Sequence, residues 1–310
     1  ATVGWTPASD IVSAFEPVAP TIQRAIFAFG FTSSNVSMSN LVSSSGVVGS
    51  DVTGVGTARH YLAAVSYGGD KAIFGYGENA SGYVSMTNLV NNSGVVAADV
   101  SGVGTARTGL AAASYGGDKA IFGYGQIDGG AKSSLTNLVG NTGTVASDVS
   151  GVGTARAYLA AASYGGDKAI FGYGETGSYV SMTNLVNNSG VVAADVTGVG
   201  TARRLLAAAG YGEDKAIFGY GQSSGGYVSM TNLVNSSGVV AADVSGVGTA
   251  RRLLAAASYG GDKAIFGYGF TGSNVSMSNL VNNSGVVAAD VTGVGTARYA
   301  LGAAGYSYSA

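Results

Sequence analysis

Lys-Ala-Ile-Phe-Gly-Tyr-Gly begins at Lys71, Lys119, Lys168, Lys215 and Lys263, and a variant, Arg24-Ala-Ile-Phe-Ala-Phe-Gly30, precedes them. The starts lie 47 to 49 residues apart, so six copies of one unit fill most of a 310-residue chain. A fixed period of this length restricts the fold to arrays in which each unit buries apolar surface against its neighbours. The chain therefore divides into an extension, residues 1–23, and one repeat domain, residues 24–310.

Each copy continues through Val-Ser-Met-Thr-Asn-Leu-Val and Ser-Gly-Val-Val-Ala-Ala-Asp-Val to Gly-Val-Gly-Thr-Ala-Arg and Leu-Ala-Ala-Ala, with small variations. In the second copy this predicts four strands: Leu62 to Tyr67, Lys71 to Gly77, Val84 to Val90 and Val95 to Val100. Gly68-Gly69-Asp70, Asn91-Asn92-Ser93-Gly94 and Ser101-Gly102-Val103-Gly104 separate them with the residue types that permit tight reversals. Consecutive apolar residues in Ala72-Ile73-Phe74 and Leu62-Ala63-Ala64-Val65 fit strands buried on both faces. Four antiparallel strands per unit is the arithmetic of a β-propeller blade. The first copy starts at its second strand, while Tyr299 to Tyr308 reads as a first strand with no second. The expected fold is thus all-β, a six-bladed propeller of four-stranded blades whose C-terminal strand pairs with the N-terminal blade and removes both sheet edges. A β-solenoid is the alternative, but it requires no such permuted ends.

Hydrophobic residues make up 46% of the chain, charged residues 10%, and 52 positions are glycine, a profile of a turn-rich β protein. The net charge of −2, with basic residues recurring singly, offers no track for a phosphate backbone, so nucleic acid is not an expected partner. No cysteine is present to form disulfides or thiolate metal sites. No apolar run reaches the roughly 18–20 residues of a membrane span, and membrane insertion is not expected.

Thr105-Ala-Arg107, Leu110-Ala-Ala-Ala113 and Ala120-Ile-Phe-Gly-Tyr-Gly125 together resemble the kelch repeat family, over about residues 24 to 308. The family's glycine doublet appears here as Gly-Tyr-Gly, and its later Tyr and Trp pair is replaced by aliphatic residues such as Leu138 and Val145. The resemblance implies a kelch-like propeller that binds partners through a loop-bearing face. Near-identical repeats of this kind also resemble those of bacteriophage and environmental virion- or tail-associated proteins, which implies a virion or extracellular location.

The copies differ from one another in two places. The loop after Gly-Tyr-Gly supplies Phe31, Asn35, Glu78, Tyr83, Gln126, Lys132, Glu175, Tyr179, Gln222, Tyr227, Phe270 and Asn274. The pair after Thr-Ala-Arg supplies His60, Tyr61, Tyr158, Arg204, Arg252 and Tyr299. In an up-and-down blade both places emerge on one face, and a rigid scaffold that varies one face is the usual form of a binding surface. Aromatic rings beside neutral hydrogen-bonding groups suit either a protein surface or a glycan.

Catalysis is not expected. The six Thr-Ala-Arg arginines recur identically, whereas an active site on a ring breaks symmetry, so they are assigned to loop carbonyls or to repeat aspartates such as Asp99 and Asp148. His60 is the only histidine and cannot build a multi-histidine metal site. No cofactor is expected. In the extension, Trp5, Ile11 and Phe15 are candidate docking residues, with a short helix expected from about Ser9 to Phe15. The overall expectation is a non-enzymatic structural or adhesive module that presents its variable face to a protein partner in a larger assembly such as a virion; the alternative is a multivalent glycan binder.

Overall fold

The computed structural model describes residues 22–308. Trp5, Ile11, Phe15 and the expected helix lie outside the described residues.

The described chain is all-β, with six three-stranded antiparallel sheets, two short two-stranded ribbons and a single 3-10 turn at Asp128–Gly130. The first sheet joins Gly302–Tyr308 to Ile22–Ala28 and Ser39–Val42. The second comprises Ala63–Tyr67, Lys71–Gly75 and Thr87–Val90, and the third Ala111–Tyr115, Lys119–Gly123 and Thr136–Val139. The fourth comprises Ala160–Tyr164, Lys168–Gly172 and Thr183–Val186, and the fifth Ala207–Tyr211, Lys215–Gly219 and Thr231–Val234. Ala255–Tyr259, Lys263–Phe270 and Asn274–Val281 form the sixth. In every sheet the Lys-Ala-Ile-Phe strand, or its variant, is central. The C-terminal strand pairs with the N-terminal one over seven positions, from Ile22 opposite Tyr308 to Ala28 opposite Gly302. First strands of successive sheets are in contact, and Gly302–Tyr308 touches the first strands of both the second and the sixth sheets.

Local chemistry accounts for these elements. Ala72, Ile73 and Phe74 are fully buried on both sides of their strand. The hairpin before them needs left-handed backbone at Gly68 and Gly69 (φ 63° and 80°), where a side chain would be strained. The strand ends at Gly75 instead of the expected Gly77, because Tyr76 and Gly77 also take positive φ. In five of the six sheets the first strand alternates between buried and half-buried residues instead of being buried on both faces, whereas residues 302–307 are buried in succession. The half-buried alanines of those five, including Ala64, Ala112, Ala161 and Ala208, line a small central cavity.

The sheets have three strands where four were expected. The outer segment survives as isolated bridges, Val90 to Val96 and Thr87 to Val100 in the second copy, and the same pair of bridges recurs in the other five. Four steps on the outer segment face three on its partner, so one residue is extra and the ladder bulges. The Asn88 amide fills the gap by donating to Ala97 O at 3.0 Å and to Asp99 Oδ1 at 2.9 Å.

Between sheets the Thr-Ala-Arg motif forms a clamp. Arg203 lies over the Tyr173 ring of the fourth sheet at 4.2 Å. It donates from Nε to Tyr220 O at 3.0 Å and from Nη2 to Asn232 Oδ1 at 2.6 Å, both in the fifth sheet. Its Nη1 donates to Thr201 O at 3.1 Å and lies 3.8 Å from Asp243. Asp243 in turn accepts from the Thr201 amide and hydroxyl and from Asn232. The expected partners are present: Arg59 lies 3.8 Å from Asp99 and Arg107 3.7 Å from Asp148. The seam between the sixth and first sheets is built alike, with Arg298 over Tyr268 and bonded to Phe29 O and Asn40. All six guanidinium-bearing residues are fully buried. Burial pushes Arg59 down to about 10, against the opposing pull of Asp99, so it stays a cation at neutral pH.

Removing a buried charge while leaving its partners is costly, so Arg203→Ala should lower stability by about 3–5 kcal/mol in urea unfolding. Arg203→Lys should recover less than half of that, since an ammonium cannot serve the same planar set of acceptors. A loss under about 1 kcal/mol for Arg203→Ala would remove the clamp from the account.

The clamp also sets an acid limit. Burial alone would raise the carboxyls of Asp51, Asp99, Asp148, Asp195, Asp243 and Asp290. Hydrogen bonds from the clamp Thr and Asn, with the arginine charge, hold all six below the ordinary value of 3.8. A depressed folded pKa stabilises above the unfolded value and is lost as pH falls through the folded one. The urea midpoint should therefore fall steeply below about pH 4, and Asp99→Asn should flatten that limb.

Candidate binding face

Antiparallel pairing puts the loops after each central strand, and the Thr-Ala-Arg connections, at one end of the sheets. There the two variable places pair with each other: His60 bridges Glu78, Arg204 bridges Gln222, Arg252 bridges Phe270 and Tyr299 bridges Phe31. Within the loops Asn35 bridges Phe31, Lys132 bridges Gln126 and Tyr179 bridges Glu175. Tyr83 pairs with Glu78, Tyr227 with Gln222 and Asn274 with Phe270. All eighteen face residues named from the sequence thus share this end, and most touch one another.

Each seam is crossed here by a different contact. Phe31 and His60 meet at 5.2 Å between the first and second sheets, and Gln126 donates to the Tyr83 hydroxyl at 2.9 Å across the next seam. Lys132 lies 3.6 Å from Glu175, which also pairs with Arg204. Arg252 donates to Gln222 at 2.7 Å and lies 5.0 Å from the Tyr227 ring. Phe270 and Tyr299 meet at 5.6 Å, with Asn274 donating to Thr32 O at 3.0 Å. The face is polarised as a result. One arc is a run of touching rings, Phe270, Tyr299, Phe31, His60, Tyr61 and Tyr158. The other carries Lys132, Glu175, Arg204, Gln222 and Arg252. Burial lowers the His60 imidazole, with Glu78 pulling the other way, so it is neutral at pH 7.

The second residue of each variable pair has a different job. Tyr61, Gly109, Tyr158, Leu205, Leu253 and Ala300 all take left-handed backbone, φ 51–61°. Each amide donates to the carbonyl of its counterpart in the preceding sheet at 2.7–3.0 Å, and the circuit closes from Tyr61 N to Ala300 O. Tyr61 and Tyr158 therefore belong partly to a plug, with Leu205, Leu253 and Ala300 buried beside them. Under the plug lies a cavity of about 80 Å³ lined mainly by leucines, among them Leu62 and Leu206. Sequence reading recorded these positions as variable; the fixed place of each pair's second member was the available signal for the plug. A polar cavity of about 220 Å³, lined by Ser66, Ser114, Ser163 and Ser258 among others, lies at the opposite end of the first strands. The near-constancy of those serines hid it.

Among the described residues no group of three or more His, Cys, Asp or Glu is placed to hold a metal ion, and no helix is long and apolar enough to cross a membrane. No protein-family model matches the chain, and no curated protein matches it.

The plug sets limits on size. A Cβ at Gly109 would lie 2.7 Å from Tyr158 Cδ1. Gly109→Leu, which copies Leu205 and Leu253, should cost about 1–3 kcal/mol by overpacking. Adding Tyr158→Ala should restore part of it, a coupling that a double-mutant cycle on thermal or urea unfolding measures.

Proposed function

We propose that this chain is a closed six-bladed, kelch-like β-propeller that acts as a non-enzymatic binding module, its variable face docking a protein partner in a larger virion-type or extracellular assembly. The propeller reading is supported by six like sheets, by first strands that succeed one another and return to their start, and by a hydrogen-bond circuit that closes. The kelch likeness rests on the repeat residues alone.

The observation that carries the binding role is the gathering of the residues that differ between copies at one end, as a ring-rich arc beside a charged arc. A partner would meet a filled platform: the axis under it is plugged, Lys132, Glu175 and Arg204 already engage one another, and Arg252 is bonded to Gln222. Small-molecule and catalytic sites are concave and bury most of their ligand, so a plugged face favours a macromolecular surface. Aromatic anchors rimmed by polar groups are the composition of such contacts. A glycan reading is favoured by one feature, the neutral amide of Gln126 against the Tyr83 hydroxyl.

Because the chain lacks cysteine, a single introduced thiol carries a photo-crosslinker to one chosen place. A label at Ser34→Cys, on the ring-rich arc, should capture one dominant protein from the native assembly. A label at Ser93→Cys, in a turn at the opposite end, should capture none. Capture from Ser93 alone would reverse the assignment of faces. Silence at both, with retention on a glycan array that Phe31→Ala plus Tyr299→Ala abolishes, would replace the protein partner with a carbohydrate.

A further inference from the structure

The outer segments of the sheets are their least protected surface. Val47, Val95, Val191, Val239 and Val286 are 60–65% exposed. A second valine follows five residues on, from Val52 and Val100 to Val291, and is also exposed. The third sheet alone carries Thr144 at the first of these positions. Edges of this kind invite pairing, and proteins ordinarily guard them with lysine, proline or inward charges. None of the six segments, residues 47–57, 95–105, 144–154, 191–201, 239–249 and 286–296, contains a lysine, an arginine or a proline. Their one charge, the clamp aspartate, is turned to the adjoining Thr and Asn and lies 3.7–4.0 Å from a buried arginine.

We propose that these valine edges are a self-association surface, on which further copies of this chain pack side by side into a lateral array. The array geometry rests on the ring arrangement proposed above. Three features select a second copy over other occupants. The edge is apolar with its only charge compensated, so it complements itself and offers nothing to a strongly charged partner. An antiparallel edge meets its like about a two-fold axis, each residue facing its counterpart's neighbour, which needs no second kind of surface. Area is the third. One short segment with two valines buries far less than the roughly 800 Å² per partner of a stable interface, so a single docking is weak. Six such edges around one rigid body reinforce one another when every neighbour is another copy, and the contact becomes strong only as an array. Side-by-side packing leaves the variable face free, so the array would present many copies of that face together.

The test compares the full chain with two variants by sedimentation velocity over a concentration series and by electron microscopy. The rim variant combines Val95→Lys, Val191→Lys, Val239→Lys and Val286→Lys, all at exposed positions; the face variant combines Phe31→Ala and Tyr299→Ala. The unaltered chain should form laterally packed particles with regular spacing as concentration rises. The rim variant should keep its melting temperature and associate roughly tenfold or more weakly, because like charges then face each other at the contact. The face variant should associate as the unaltered chain does. An unaltered chain that stays monomeric throughout, or a rim variant that associates equally well, overturns the proposal and leaves the binding face standing. Association lost only in the face variant overturns it too.

Discussion

The buried guanidinium at each seam is the interaction on which the arrangement of the sheets rests. Neighbouring sheets share no strand ladder; they meet through side chains and a few backbone hydrogen bonds at their ends, and a seam of alanines and glycines alone would not fix their spacing. The arginine bonds to one sheet and stacks on an aromatic ring of the next, and the clamp aspartate ties the same junction to the connecting loop. Placing a cation there carries a desolvation penalty, offset because most of the guanidinium nitrogens find an acceptor, Arg59 Nη2 and Arg107 Nε and Nη1 being the exceptions. Glycine completes the fit. A Cβ at Gly75 would lie 2.8 Å from the Phe122 ring of the following sheet, and at Gly267 2.7 Å from Phe27 across the seam with the first sheet. That seam, between the last and first sheets, uses the same parts as the rest.

Most of this was legible because repetition exposes it. The period, the central Lys-Ala-Ile-Phe strands, the turns and the pairing of the N- and C-terminal strands all followed from comparing copies, and so did the assignment of the six arginines to loop carbonyls or repeat aspartates, both of which they meet. The fourth strand was misread for a physical reason. Val95 to Val100 has strand composition, but nothing in its pattern tells that Asn88 will supply a side-chain donor where a backbone ladder would need one. Likewise Leu62-Ala63-Ala64-Val65 reads as buried throughout, although alternate residues of the strand that follows face a central cavity. Hydrophobicity cannot separate a side chain against a neighbouring sheet from one against a small void.

The variable face was located from loop lengths and from the pair after Thr-Ala-Arg, yet its two halves differ for different reasons. Six equal large side chains cannot share one plug, so Tyr61, Gly109, Tyr158, Leu205, Leu253 and Ala300 differ because packing demands it: a tyrosine lies where a glycine makes room. The outer members are under no such demand. There the copies vary in chemistry, from ring against ring at Phe31 and His60 to ion pairs at Lys132, Glu175 and Arg204, and every contact joins one sheet to the next.

Symmetry therefore sorts the molecule. Where six identical environments are possible, at the clamps, the turns and the valine edges, the residues are nearly identical; where they are impossible, at the axis, they compensate one another in size. The outer variable ring fits neither case, since identical residues would be tolerated there and are not found. Of its charged members Lys132, Glu175 and Arg204 already pair with one another across the seams, and Arg252 donates to Gln222. Phe31, Tyr299 and Phe270 have no such obligation: their rings pack against one another, against His60 and, at Phe270, against Tyr227 and the Arg252 guanidinium, half-exposed, over a scaffold held rigid from beneath. Contact area there is available at small entropic cost, because the rings are already ordered before any partner arrives.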